Sequence, residues 1–134
     1  MAQALALYFW VGLGSALGGM ARYLVSGVVA RAIGETFPFG TLAVNVLGSL
    51  VIGLFVAVTG PDGRLLVDPS IRQFVTLGLC GGFTTFSSFS LQTLVLLQEG
   101  EWWLASLNVL ASVIGCLAAV WLGWQLGQGL NRLP

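Results

Sequence analysis

The chain of 134 residues has no histidine and no lysine, and its few formal charges are five arginines against five acidic residues, 7% of the total. A soluble domain carries about a quarter of its residues charged to solvate its surface. None of the acidic residues falls inside a long apolar run. Metal hydrolysis, Ser-His-Asp catalysis and carboxylate acid–base chemistry therefore lack their parts, and the chain does not read as an enzyme. Cysteine is scarce too. Cys80 and Cys116 lie in separate apolar runs, far from any Cys-x-x-Cys spacing. They read as buried free thiols rather than a disulfide or a metal pair. Balanced charge offers no basic patch, so nucleic acid is not an expected partner.

What is abundant is apolar sequence: 57% of residues are hydrophobic and the mean hydropathy is +0.94. Residues 1–21, 36–61, 73–98 and 102–131 each lack any formal charge. Each run is at least as long as the roughly 20 residues that cross a bilayer core as a helix. The expectation is an all-α membrane protein of one domain, 1–134, with four spans at about 5–29, 39–58, 71–97 and 102–127. The opening MAQALALYFW has no basic residue ahead of its apolar stretch, so it is expected to remain as a span rather than leave as a signal peptide. The connections ARAIGETFPF, TGPDGRLLVDPS and QEGE hold most of the charge and most of the Pro and Gly punctuation.

Four spans place both termini and the second loop on one side, with Arg64, Arg72 and Arg132, and leave Arg31 on the other. That positive-inside bias is weak. A chain so evenly balanced can insert both ways, which permits an antiparallel pair of identical subunits. Small residues recur at four-residue steps: Gly14 and Gly18 in the first span, Ser49 and Gly53 in the second, Gly115, Ala119, Gly123 and Gly127 in the fourth. In lipid such faces let backbones approach closely.

Polar groups at membrane depth are costly unless they find partners or line water, so each is a functional candidate. Arg22 is the one charge well inside a span, either snorkelling to the interface or attracting an anion at the mouth of a path. Asn45 shares a small, polar helix face with Thr41, Gly48 and Ser49, and Asn108, Ser112 and Cys116 form a similar stripe in span four. Such stripes serve interhelical hydrogen bonds, or two of them face each other across a narrow polar seam.

The densest signal is CGGFTTFSSFS at 80–90, with two glycines, two threonines and three serines. Gly81 and Gly82 lower helix propensity, and the hydroxyls of Thr84, Thr85, Ser87 and Ser88 compete for local backbone. A softened kink is the plain reading. A true break would free main-chain groups, tolerated at that depth only inside protein or beside water or an ion. Freed carbonyls suit a small hard cation such as Na⁺. Phe83, Phe86 and Phe89 recur every third residue, one stripe if that segment is helical. Aromatic rings have a positive edge, so inward-turned edges can face a small anion without offering a full charge.

GGMARY at 18–23, PFGTLAVNVLGS at 38–49 and GLCGGFTTFSSFS at 78–90 resemble the Fluc/CrcB family of fluoride channels, in the family's order and over nearly the whole chain. The resemblance implies a passive channel of prokaryotic inner (plasma) membranes that lets cytoplasmic fluoride leak out. It implies a dual-topology, antiparallel homodimer with two pores along its interface, the third helix of each copy broken mid-membrane, and a structural Na⁺ on the two-fold axis. Carried over by motif, the carbonyls of Gly81 and Thr84 would hold Na⁺. Phe86, Phe89 and Asn45 would line the pore, Arg22 would stand near its vestibule, and Thr85, Ser87 and Ser88 would add hydroxyls. In span four the family commonly has a Tyr and serines in a polar track; here stand Asn108, Ser112 and Cys116, with no Tyr. Phe83 falls where the family varies and takes no pore role.

Two other readings compete. A small four-span secondary transporter of the multidrug-exporter type needs a titratable carboxylate in a span, whereas Glu35, Asp62, Asp68, Glu99 and Glu101 all fall outside the spans. A non-transporting assembly subunit needs only packing faces, and leaves the hydroxyl-rich break unexplained.

Overall fold

Long apolar segments must satisfy their own backbone polar groups in a bilayer, which favours helices throughout. A computed structural model describes residues 2–133, and among them there is helix and no strand. The elements are α1 (Ala2–Ile33), α2 (Phe39–Val58), α3 (Pro69–Gln73), a π-helical segment (Phe74–Cys80), α4 (Gly81–Phe83), α5 (Phe86–Gln98) and α6 (Trp102–Asn131). Four stretches are long and apolar enough to cross a membrane: Leu5–Ile33, Phe39–Val58, Pro69–Gln98 and Trp102–Asn131. The third of these contains α3 to α5.

Helix α1 runs past residue 29 because nothing stops it until Gly34, whose φ of +105° ends the helix and whose N–H bonds the Ala30 carbonyl at 2.8 Å. Arg31 in its last turn complements the helix dipole. The third span starts on a defined cap. Asp68 accepts from the Ser70 N–H at 2.8 Å, and Pro69 follows it at the first helical position. Asp68→Ala is expected to cost about 1 kcal/mol. A modest fall in the thermal midpoint of the detergent-solubilised protein, with flux intact, would check it.

Packing divides the chain into two helix pairs. The first half of the third span lies along α1, while α2 lies along α6. Both contacts are close because glycines permit them. A Cβ on Gly14 would sit 2.9 Å from the Gly78 Cα, and one on Gly82 would sit 2.9 Å from the Ser15 Cα. In the other pair, Gly53 abuts the Val120 carbonyl and Gly123 the Leu50 carbonyl. After the break, α5 leaves α1 and rests on α6. The interruption therefore hands the third span from one pair to the other. Little is left to form an interior: Val44 and Asn108 are the largest side chains wholly removed from the surface.

Candidate ion pathway

The third span opens at Thr84 and Thr85. Their backbones are extended, with φ/ψ of −85°/160° and −154°/114°. The expected stripe of Phe83, Phe86 and Phe89 is therefore not continuous. Phe83 closes α4, and the extended pair separates it from Phe86 and Phe89 on α5. Those two rings stay together, centroids 5.2 Å apart and planes at 51°.

A helix end leaves its last four carbonyls without intrahelical donors. The Cys80 carbonyl is recovered twice, by the Thr84 N–H at 3.0 Å and the Thr84 hydroxyl at 2.9 Å. The N–H that would close the next turn onto the Gly81 carbonyl belongs to Thr85, and it donates instead to Asn45 Oδ1 at 2.7 Å. Asn45 Nδ2 in turn donates to the Thr85 carbonyl at 3.1 Å. One side-chain amide on α2 thus takes both polar groups of one residue at the break. The N–H that would reach the Thr84 carbonyl in a continuous helix belongs to Ser88, and Thr85 Oγ1 accepts it at 3.2 Å as the cap of α5. Thr85 Oγ1 also donates to Ser88 Oγ at 3.0 Å and lies 3.3 Å from Ser87 Oγ.

The break leaves the carbonyls of residues 81–84 without intrahelical donors, and Gly81 and Thr84, the pair carried over as Na⁺ ligands, are among them. Carbonyl oxygens suit a hard monovalent cation, and among the described residues no cluster of His, Cys, Asp or Glu competes as a metal site. The donor set fits, at two oxygens per copy. Arg22 Nη1 reaches the Thr84 carbonyl at 3.5 Å, a long contact that leaves that oxygen a second lone pair. Arg22 is therefore turned inward to the break rather than along the helix toward an interface.

Two hollows meet at this place. A groove of about 460 Å³ is lined by Asn45, Gly81, Thr84, Thr85, Phe86, Phe89 and Ser112, and by no formally charged residue. A larger vestibule of about 1170 Å³ holds Arg22, Arg31, Glu35, Glu99 and Glu101, and reaches down to Thr85 and Ser88. Thr85 borders both. Phe86 is 78% exposed on the protomer and Phe89 only 9%. Ser87 is exposed and lines neither hollow.

Asn108 also lines neither. It is 1% exposed, and its Nδ2 donates to Thr93 Oγ1 at 2.9 Å, while Thr93 Oγ1 donates to the Phe89 carbonyl at 2.8 Å. Ser112 donates to Asn108 Oδ1 at 3.5 Å and is the member of that stripe that reaches the groove together with Cys116. The sequence reading passes over Thr93, whose hydroxyl sits in the apolar run LQTLVLL with Ser90 as its one polar neighbour at helical spacing. It also passes over Thr76 and Cys80 as groove-lining residues. A small side chain in an apolar helix gives no sign of the direction it faces.

A family model described as CrcB-like protein, Camphor Resistance (CrcB), matches residues 9–124. A protein of Opitutus terrae named Fluoride-specific ion channel FluC is 55% identical over 129 residues, covering 96% of this chain and 98% of that protein. A protein of the same name from Rhodospirillum rubrum is 56% identical over 116 residues, 87% of this chain and 90% of its own. A third, from Methylocella silvestris, is 53% identical over 126 residues, 94% of this chain and 96% of its own.

Proposed function

The chain belongs to the CrcB-like family, and from that premise we propose that it forms a passive, fluoride-selective channel that lets cytoplasmic fluoride leave the cell. The observation that carries the proposal is that the relatives named as fluoride-specific channels align with almost the whole chain at more than half identity. The corridor's chemistry agrees with that cargo. A groove without formal charge cannot trap a small anion by a fixed counter-ion, so the anion can leave as readily as it enters. Hydroxyls of Thr85 and Ser112 and the ring edges of Phe86 and Phe89 offer weak positive poles along it. Arg22 stands where the vestibule meets the break and offers a positive group at its narrow end, while Arg31, Glu35, Glu99 and Glu101 line the wider part.

The protomer alone leaves this groove open on one side, and most of its large apolar side chains lie on its surface. We extend the proposal to an antiparallel homodimer in the inner (plasma) membrane of a prokaryote, in which a second copy closes the groove. Two copies would bring four carbonyls together, those of Gly81 and Thr84 from each, as the holder of one structural Na⁺. The bound cation would join the copies at the break. Ser88 would add a hydroxyl to the vestibule, Ser87 would act through its contact with Thr85, and Asn108 would act through Ser112 rather than touch the ion. A proton-coupled exporter finds no support in the fold. Glu35, Asp62, Asp68, Glu99 and Glu101 all lie in connections or at helix ends.

Purified protein reconstituted in liposomes is expected to release fluoride down its gradient, without a proton gradient, while chloride is retained as in protein-free vesicles. Equal release of the two halides would sink the narrow-corridor reading.

A further inference from the structure

Asn45 is expected, as a mid-membrane polar residue, to offer its amide to the permeating anion. Its hydrogen bonds give it a second task, since only one of its two amide N–H groups is used within the protein. Oδ1 accepts from the Thr85 N–H at 2.7 Å and Nδ2 donates to the Thr85 carbonyl at 3.1 Å. The pairing leaves no ambiguity in the orientation of the amide, since exchanging oxygen and nitrogen would set donor against donor and acceptor against acceptor. These are long-range contacts, 40 residues apart in sequence, and they replace the bond that Thr85 would otherwise make back to Gly81.

We infer that Asn45 is a positioning residue for the cation site: by holding both polar groups of Thr85, it keeps the Gly81 carbonyl free of its helical donor and available to a cation. The inference rests on the Na⁺ reading above and deepens it. In a low-dielectric interior a Thr85 N–H released from Asn45 has to find another acceptor, because leaving it unpaired is costly. The nearest in the helical register is the Gly81 carbonyl. Without the Asn45 amide the third span tends to heal across the break, and the oxygen that a cation would use is consumed. Cation and amide thus stabilise the same open arrangement, and removing one weakens the other by linkage.

A carboxylic acid separates this role from simple packing. In its neutral form the side chain of Asn45→Asp has one acceptor and one O–H donor, and reproduces both bonds. Once ionised it has acceptors only, and it repels the Thr85 carbonyl. The charged and titratable groups around position 45 are Arg22 on α1, Cys80 at the end of the π-helical segment and Cys116 on α6; α5 presents none to the groove.

The experiment follows the thermal midpoint of detergent-solubilised protein as Na⁺ replaces N-methylglucamine, at about pH 4, where an ordinary aspartic acid is about half neutral, and at about pH 7. For wild type the midpoint should rise with Na⁺ and saturate equally at both pH values. For Asn45→Asp the Na⁺ concentration giving half the rise should be about tenfold higher at the upper pH, equivalent to about 1.4 kcal/mol, and should return to near wild type at the lower pH. Asn45→Ala should show the tenfold shift at both. Thr93→Val, which removes the hydrogen bond from Asn108 that joins α6 to α5, should lower the midpoint without moving its Na⁺ dependence. Wild type that shows no Na⁺ dependence would remove the cation reading itself. Wild type that responds to Na⁺ while both Asn45 variants respond within twofold of it, at both pH values, would overturn the positioning role alone. So would an Asn45→Asp variant that cannot be folded even at the lower pH, since the neutral acid restores both bonds.

Discussion

Replacing Phe86 with Ile is expected to lower fluoride flux by about 10- to 100-fold while the protein still elutes as wild type on a sizing column. The estimate follows from losing one contact to an ion, worth about 1.5–3 kcal/mol, at about 1.4 kcal/mol per factor of ten. Phe86 is the cleaner of the two groove aromatics to test. It is 78% exposed on the protomer, so its ring does not hold the protomer's interior together. An isoleucine keeps apolar bulk in the groove but has no positive edge to offer. Phe89 is 9% exposed and packs beside Phe86 with a 5.2 Å centroid separation. Its replacement removes ring edge and packing together, so Phe89→Ile should lose flux at least as severely and also lower the thermal midpoint. Liposome efflux and size-exclusion profiles of both variants check this pair. Flux near wild type in the Phe86 variant would refute the role of its ring edge.

The largest structural loss is expected from Gly123→Ala. Its Cβ would meet main chain, the Leu50 carbonyl with the Leu54 nitrogen behind it at 2.9 Å, and backbone cannot step aside as a flexible side chain can. Gly53 presents the reciprocal face of the same contact, against the Val120 carbonyl. The added methyl must push α2 and α6 apart along the interface that joins them. Overpacking costs about 1–3 kcal/mol, and a backbone collision belongs at or above the upper end. Loss of the monodisperse protein, or a steep fall in its thermal midpoint, is the expected readout. Gly129→Ala in the same helix is the control. A Cβ there meets nothing within 4 Å, and alanine improves helix propensity by about 1 kcal/mol. If the two variants behaved alike, close backbone packing would not be what holds α2 to α6.

Much of this was legible before any coordinates. The lack of charge over 36–61 and 102–131 specifies helices α2 and α6, because only a hydrogen-bonded helix makes such a run tolerable in lipid. The glycines and hydroxyls of 80–90 announce the break, since they weaken helix and compete for its backbone at the place where α4 ends and α5 begins. Side-chain direction was less legible. The Asn108 and Ser112 stripe reads as a polar seam, yet Asn108 is spent on Thr93 and Ser112 alone carries the stripe's hydroxyl to the groove. Spacing puts residues on one helix face, but the position of the neighbouring helix decides which of them meets a partner and which meets space. Thr85 likewise looks equivalent to Thr84 in sequence. In the fold it caps α5, pairs with Asn45 and borders both hollows.

The π-helical turn of Phe74–Cys80 has no such herald. FVTLGLC contains no proline and only one glycine, and that glycine, Gly78, meets the Gly14 backbone of α1. By itself, then, the sequence determined that the chain lives in a membrane, how many times it crosses, and where one crossing is interrupted. Those are consequences of solvation and local backbone preference, which act within a segment. The tertiary structure decided which main-chain groups the interruption leaves available. That depends on where Thr85 finds its partners, and Asn45 lies too far along the chain for any local rule to supply it.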